Sequence, residues 1–278
     1  MSTKTTGYSN ICSYYTPFGL FACQSIMGTM DTTYQVKYSK IDEFQIGLRK
    51  NTYDPLKKTL LLIHGIGTSS DYYVPLMKEF TDSFNVLAID LPGYGKTHKP
   101  AHPLTVDELA EVAESFLETR QLTDVILVGH SMGAQIVSSL NYLSPGRIHK
   151  AILLAPTVNK QERTVLFQAV RLAQDTFLEP PKVNAIIFLN YLRMGVVRFL
   201  KTSKYMVDAH LEDYLKDTAT PVLIIRGEKD PIAPRRWAAY LETVSPTIST
   251  NEIAKAPHAF HYTHAKEVKN LCQTFIDA

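Results

Sequence analysis

The chain has 278 residues, 45% of them hydrophobic and 20% charged, which is enough apolar material for a large core and excludes intrinsic disorder. Its 29 basic and 27 acidic residues leave a net charge of +2, too balanced for a nucleic-acid footprint built on a basic face. No run approaches the ~20 apolar residues of a membrane span. Cys12, Cys23 and Cys272 have neither an even count nor metal spacing, which points to a reducing, cytoplasmic setting.

The segment 17–30 is fairly apolar, but only Lys4 precedes it and Cys23, Gln24 and Ser25 interrupt it, so a cleaved signal is not expected. Residues 1–32 read as an arm that packs on the domain surface or over a cleft. The segments 33–39 (TYQVKYS) and 44–48 alternate apolar and polar residues and predict an antiparallel hairpin at a sheet edge. Continuous apolar runs at 59–63, 86–89, 125–128, 151–154 and 222–225 predict strands buried on both faces. Between them, 106–119 places Leu109, Val112, Ala113, Phe116 and Leu117 at helical spacing, with Thr105 and Glu108 forming a capping box. The segment 157–216 contains no strand-like run and predicts a helical cap over the C-terminal edge of the sheet, where open α/β sheets bind ligands. Within it, 183–200 (VNAIIFLNYLRMGVVRFL) reads as one strongly apolar helix broken in polarity only by Arg193 and Arg198. A last alternating stretch, 248–254, precedes a helix at 262–275. The whole is an α/β chain with a mostly parallel sheet flanked by helices. Its core is 33–156 and 217–278, and its cap is 157–216.

The sharpest chemical signal is Gly129-His130-Ser131-Met132-Gly133, a G-x-S-x-G turn directly after one buried strand and directly before a helix. So tight a turn needs small flanking residues and lifts the serine hydroxyl clear of the sheet. A hydroxyl is a weak nucleophile and needs a base that is itself oriented by an acid. The loop after 222–225 offers Glu228 and Asp230; Asp230 lies farther out, where a carboxylate can turn toward a histidine. The loop after 248–254 offers His258, with His261 and His264 as competitors at the start of a helix. His258 is favoured because its loop can reach back over the sheet. His64-Gly65-Ile66-Gly67 follows the strand at 59–63 and offers the backbone N–H of Ile66 as one oxyanion donor, with the amide of Met132 as the other. His64 reads first as a buried histidine that holds this loop. Gly95-Lys96-Thr97 imitates the end of a phosphate-binding loop, but that motif requires glycine at position 90, where Asp90 stands.

Taken together, HGIG (64–67), DLPGYGKT (90–97), GHSMG (129–133), RGEKDPIAP (226–234) and APHAFHYTH (256–264) resemble the α/β-hydrolase superfamily, in particular its serine esterase/lipase-like branch with a helical cap. The resemblance covers about residues 33–278. It implies the triad Ser131, Asp230 and His258 and the oxyanion amides of Ile66 and Met132. It departs from the common pattern at Pro257, where glycine is usual before the histidine, and at Ala265-Lys266-Glu267, which lacks the acidic-then-proline sequence of many members.

The expected activity is that of a carboxylesterase acting through an acyl-enzyme on a hydrophobic small-molecule ester. Substrate is expected to meet His64, Gly65, His130, Phe188 and Tyr191. The same residues could instead serve carbon–carbon bond, thioester or perhydrolytic chemistry, or a ligand-binding module without turnover. No metal and no other cofactor is expected. Peripheral membrane contact through the cap, with Arg193 and Arg198 toward headgroups, is a further expectation. The pH–rate profile should rise through a base near the ~6.5 reference of histidine.

Overall fold

Strands covered on both faces need no polar side, and the continuous apolar runs form the interior of an 8-stranded sheet with order β1-β2-β4-β3-β5-β6-β7-β8. In this computed structural model the described residues are 34–216 and 218–278. The arm expected at 1–32, with Cys12 and Cys23, lies outside them. The strands are β1 (Lys37–Ile41), β2 (Phe44–Lys50), β3 (Thr59–Ile63), β4 (Asn85–Asp90), β5 (Val125–His130), β6 (Ile148–Leu154), β7 (Val222–Gly227) and β8 (Ile248–Ile253). From β4 across to β8 all pairings are parallel. The expected edge hairpin is β1–β2, antiparallel and shifted a few residues downstream of its predicted start, with β2 antiparallel to β4.

Alternate side chains of each strand enter two different cores. Leu61 and Ile63 of β3, with Leu127 of β5 and Ile224 of β7, pack against α2 (Val106–Thr119), α3 (Met132–Leu143) and α8 (Arg235–Glu242). Leu60, Leu62, Val128 and Ile225 pack on the other face against α1 (Val74–Phe80) and the C-terminal α10 (Ala265–Asp277). Helix α2 starts where its capping box predicts: the Glu108 amide donates to Thr105 Oγ1 at 3.2 Å and the Thr105 amide donates to Glu108 Oε2 at 2.7 Å. The segment predicted as one helix from 262 divides at His264 into α9 (Phe260–Thr263) and α10.

The stretch 90–97 is a turn wound around a carboxylate. Asp90 accepts the Ser70 amide at 2.7 Å and the Lys96 amide at 2.8 Å, and its carbonyl accepts the Thr97 hydroxyl. The β3–β5 pair is where strand order reverses direction, so the loop after β3 and the turn after β5 meet at the crevice of the sheet.

Between β6 and β7 lie α4 (Val165–Thr176), α5 (Pro181–Met194), α6 (Val196–Asp208) and α7 (Leu211–Leu215). The single helix expected over 183–200 is two helices bent by 102°. Gly195, at φ +85°, makes the break, a conformation that side chains with a Cβ rarely adopt. The insertion is tied down by polar contacts. Gln135 of α3 donates to the carbonyls of Met206 and Ala209 at 2.8 and 2.9 Å, and Glu162 receives both Arg171 and Arg236 of α8. Residues 34–278 cluster as one unit.

Close backbone approach fixes the turn after β5. A Cβ on Gly133 would lie 2.1 Å from the Ile63 carbonyl oxygen, and one on Gly129 would lie 2.2 Å from that of Gly133. Gly133→Ala is therefore expected to destabilise by about 3 kcal/mol, the upper end for overpacking. Gly146→Ala, whose added methyl would meet nothing within 4 Å, should gain about 0.5 kcal/mol by restricting the unfolded chain. Urea unfolding of the two variants beside the parent checks both signs.

Candidate active site

Ser131 stands between the end of β5 and the first residue of α3, with φ +57° and ψ −119°. Such a backbone costs about 1–3 kcal/mol and persists only where its surroundings impose it. Here the Ser131 amide donates to the Leu154 carbonyl at 2.9 Å and its carbonyl accepts the Ala134 amide at 3.0 Å. Met132 opens α3, so its amide has no intrahelical acceptor and lies at the positive end of the helix dipole.

Two strand-end loops bring the other sequence-predicted residues to the serine. Asp230 follows β7, and its Oδ1 is held by the amides of Ile232 and Ala233 at 2.8 and 3.0 Å. Its Oδ2 accepts His258 Nδ1–H at 2.8 Å, which leaves Nε2 as the basic ring nitrogen. Glu228, the competing acid, turns away and accepts the Lys255 amide at 2.6 Å. Ser131, His258, Ile66, Gly65, His130 and Tyr191 all line one cleft of ≈ 860 Å³, the solvent at its mouth included. The loop after β3 lies directly against the serine, since a Cβ on Gly65 would come 3.1 Å from that of Ser131.

Two residues expected at the substrate lie elsewhere. His64 is fully buried, donates from Nδ1 to the Gly65 carbonyl at 2.8 Å and accepts the Leu91 amide on Nε2 at 3.1 Å. It is a loop anchor, consistent with burial lowering its basicity against the pull of Asp90. Phe188 is 61% exposed and does not line the cleft, which Ile187 and Tyr191, four residues apart on one face of α5, reach instead.

A chain of hydrogen bonds links the two loops beneath the cleft. The Gly65 amide donates to the Tyr72 oxygen at 2.8 Å, and the Tyr72 hydroxyl lies 3.0 Å from His130 Nδ1. His130 Nε2 lies 3.1 Å from the His258 carbonyl. A carbonyl only accepts, so Nε2 carries the proton and Nδ1 accepts from Tyr72. Burial, then the neighbouring His261 and His258, hold His130 well below the ordinary histidine range, and burial pushes the Tyr72 hydroxyl up to about 12. His261 packs edge-on against Tyr72 and 4.2 Å from the His130 ring, with neither ring nitrogen hydrogen-bonded. Burial, helped by the charge of His258, lowers it to about 3. His264 is engaged at the surface by the Thr263 hydroxyl at 2.8 Å.

The sequence reading missed Asp175 and Glu179. Asp175, in the last turn of α4, accepts the His258 amide at 3.2 Å; Glu179, in the following turn, accepts the Ala259 amide at 2.5 Å. Burial first, opposed by His258, brings Asp175 up to about 6, and burial with the charge of Asp175 brings Glu179 up to about 7. One signal was available: 163–207 carries these two acids, at i, i+4, against seven basic residues.

Among the described residues no three His, Cys, Asp or Glu side chains group as metal ligands. His98 and His102 have the i, i+4 spacing of helical ligands, but their segment is not helical.

The alpha/beta hydrolase family model matches residues 60–271. The chain belongs to that family. It is a hydrolase of the esterase/lipase-like branch. It is 24% identical over 263 residues to 2-(acetamidomethylene)succinate hydrolase of Mesorhizobium japonicum, covering 86% of this chain and 94% of the relative. It is 23% identical over 243 residues to pimeloyl-(acyl-carrier protein) methyl ester esterase of Photobacterium profundum, covering 78% and 94%. In fold it is similar to a membrane phospholipase A described as a bacterial virulence factor, with a TM-score of 0.76 and 19% identity over 88% of this chain and 86% of that one.

The Tyr72 hydroxyl serves both Gly65 and His130, so Tyr72→Phe leaves a buried amide and a buried ring nitrogen unpaired. We expect about 2 kcal/mol of destabilisation and, from the loosened Gly65–Ile66 loop, a fall in hydrolytic kcat. Thermal melts with initial rates test the two effects together.

Proposed function

We propose that this hydrolase cleaves carboxylic esters with an apolar acyl or alcohol part, using Ser131 as nucleophile, His258 as base and Asp230 as the orienting acid. The observation that carries this reading is the 2.8 Å bond between His258 and Asp230 at the wall of an apolar cleft that also exposes Ser131. Asp230 fixes the Nδ1–H tautomer, so Nε2 takes the Ser131 proton as the hydroxyl attacks the ester carbonyl. The amides of Ile66 and Met132 then hold the tetrahedral oxyanion, each worth about 3–4 kcal/mol. His258 returns the proton to the leaving alcohol, and water clears the acyl-enzyme with His258 again as base.

The cleft wall argues for an uncharged substrate. Val165, Leu172, Ile187, Phe199 and Met206 of the insertion line the same cleft as Ser131, and among the described residues the lining includes no lysine or arginine. A succinate-derived substrate like that of the Mesorhizobium relative carries two carboxylates, and its recognition calls for cationic donors. On this reading the insertion is a cap, and it supplies the apolar side of the pocket.

The base titrates above the histidine reference. Burial lowers it, but Asp230, Asp175 and Glu179 outweigh burial and raise it to about 9. The imidazole must be neutral to act, so kcat/KM should fall toward acid, tenfold per pH unit on the acid limb. Hydrolysis of p-nitrophenyl esters from acetate to palmitate tests the assignment. Ser131→Ala is expected to lose turnover by about a million-fold and Asp230→Asn by about 10⁴-fold, as in other serine triads. Full ester turnover in Ser131→Ala refutes it; a flat result at all chain lengths favours thioester or carbon–carbon bond cleavage.

We further propose that the cap meets anionic lipid aggregates. Phe188, Leu192, Val196 and Val197 are exposed, and 180–207 carries five basic and no acidic residues. Of the two arginines expected at headgroups, Arg198 is committed to the Pro100 carbonyl at 2.5 Å. No single helix among the described residues is long and apolar enough to cross a membrane. Co-sedimentation with anionic vesicles, lost in Leu192→Asp/Val197→Asp and absent with zwitterionic vesicles, is the expected result.

A further inference from the structure

The loop that carries His258 is held from two sides. From the core, Asp230 binds the imidazole and His130 donates to the His258 carbonyl. From the insertion, Asp175 and Glu179 bind the two successive amides of His258 and Ala259. Both carboxyl groups are buried, at 3% and 5% exposure, and Asp175 also lines the cleft beside Ser131. The second oxygen of Glu179 has no hydrogen-bond partner among the described residues. Two acids sunk at a contact between elements 80 residues apart in sequence are costly to keep unless they serve it.

We infer that Asp175 and Glu179 are positioning residues of the His258 base: they seat the helical insertion on the loop that holds the imidazole, so that pocket closure and base alignment form as one event. The inference rests on His258 acting as the base. It assigns the two acids both a tether and a charge, and these are separable. The tether needs only an acceptor oxygen on each side chain. The charge acts on the imidazolium together with Asp230 from the loop after β7, against His130 at the end of β5 and His261 on α9, which burial keeps neutral.

The sign of the pH effect follows. With Asp175 rising to about 6 and Glu179 to about 7, both are ionised at pH 8, where they favour protonated His258. Removing either charge lowers the basicity of His258 and moves the acid limb of kcat/KM to lower pH. For stability the folded chain binds these protons more tightly than the unfolded chain does. This contribution is therefore present at pH 4 and lost as pH rises toward 7.

The test compares Asp175→Asn, Glu179→Gln, Asp175→Ala and Glu179→Ala with the parent in kcat and KM against pH. Thermal melts and NMR titration of the His258 imidazole accompany the kinetics. Asn and Gln keep an acceptor oxygen, so the plateau kcat should stay within about threefold while the acid limb and the imidazole titration both move down by about one pH unit. Alanine removes the tether, and kcat should fall at least tenfold with a rise in KM. Coincident pH profiles and imidazole titrations in parent, Asn and Gln variants, or alanine variants with parental kcat, overturn the inference. A parent without ester turnover defeats the functional reading alone, because the imidazole titration still reads the charge and the melts still read the tether.

Discussion

The site depends on one crowded turn. Ser131 is placed in a left-handed conformation because the chain must leave β5 and enter α3 while pressed against the backbone of β3, and Gly133 has no room even for a methyl group beside the Ile63 carbonyl. The same crowding brings the loop after β3 against the serine and leaves the Met132 amide free at the head of α3. Strain at Ser131 is thus a consequence of packing that also sets its side chain beside the Gly65–Ile66 loop and the head of α3. The two-sided sheet supplies the rigidity that keeps the turn from relaxing.

Around that turn the polar groups divide by charge state. Asp230 and His258 are hydrogen-bonded to each other, and the carboxylate's other oxygen accepts two amides. His64, His130 and His261 are buried and kept neutral, and each packs or hydrogen-bonds as a rigid polar spacer. Five histidines fall within the motifs at 64–67, 129–133 and 256–264, and of these His258 is the one whose Nδ1 is held by a carboxylate.

How much of this was legible in the sequence depended on whether the signal was local. Strands β3 to β7 declared themselves because burial on two faces writes continuous apolar runs, and α2 because Thr105 and Glu108 mark its start. The serine turn was legible because two glycines and a flanking strand and helix are all sequence-adjacent. The choice of Asp230 over Glu228, and of His258 over His261, matches the hydrogen bonding, since position along a loop was the relevant variable. The apolar stretch 183–200 was misread as one helix because hydrophobicity carries no information about a bend made by a single Gly195, and an apolar helix on all sides does not say that Ile187 and Tyr191, rather than Phe188, face the cleft. Asp175 and Glu179 escaped because their partners are backbone amides more than 75 residues away, contacts with no local pattern.

The cleft is assembled from two sources that hardly mix. Among the described residues, Ser131, His258 and the Gly65–Ile66 segment come from strand-end loops, while most of the apolar wall comes from the insertion between β6 and β7. Such an arrangement invites exchange of the wall alone, leaving the strand-end loops intact. The contacts at His258 and Ala259 restrict that freedom. A foreign wall grafted at 157–216 would arrive without the two acceptors that hold the His258 loop, leaving two buried amides unpaired. Divergence of this scaffold is therefore modular only for inserts that carry those acceptors with them.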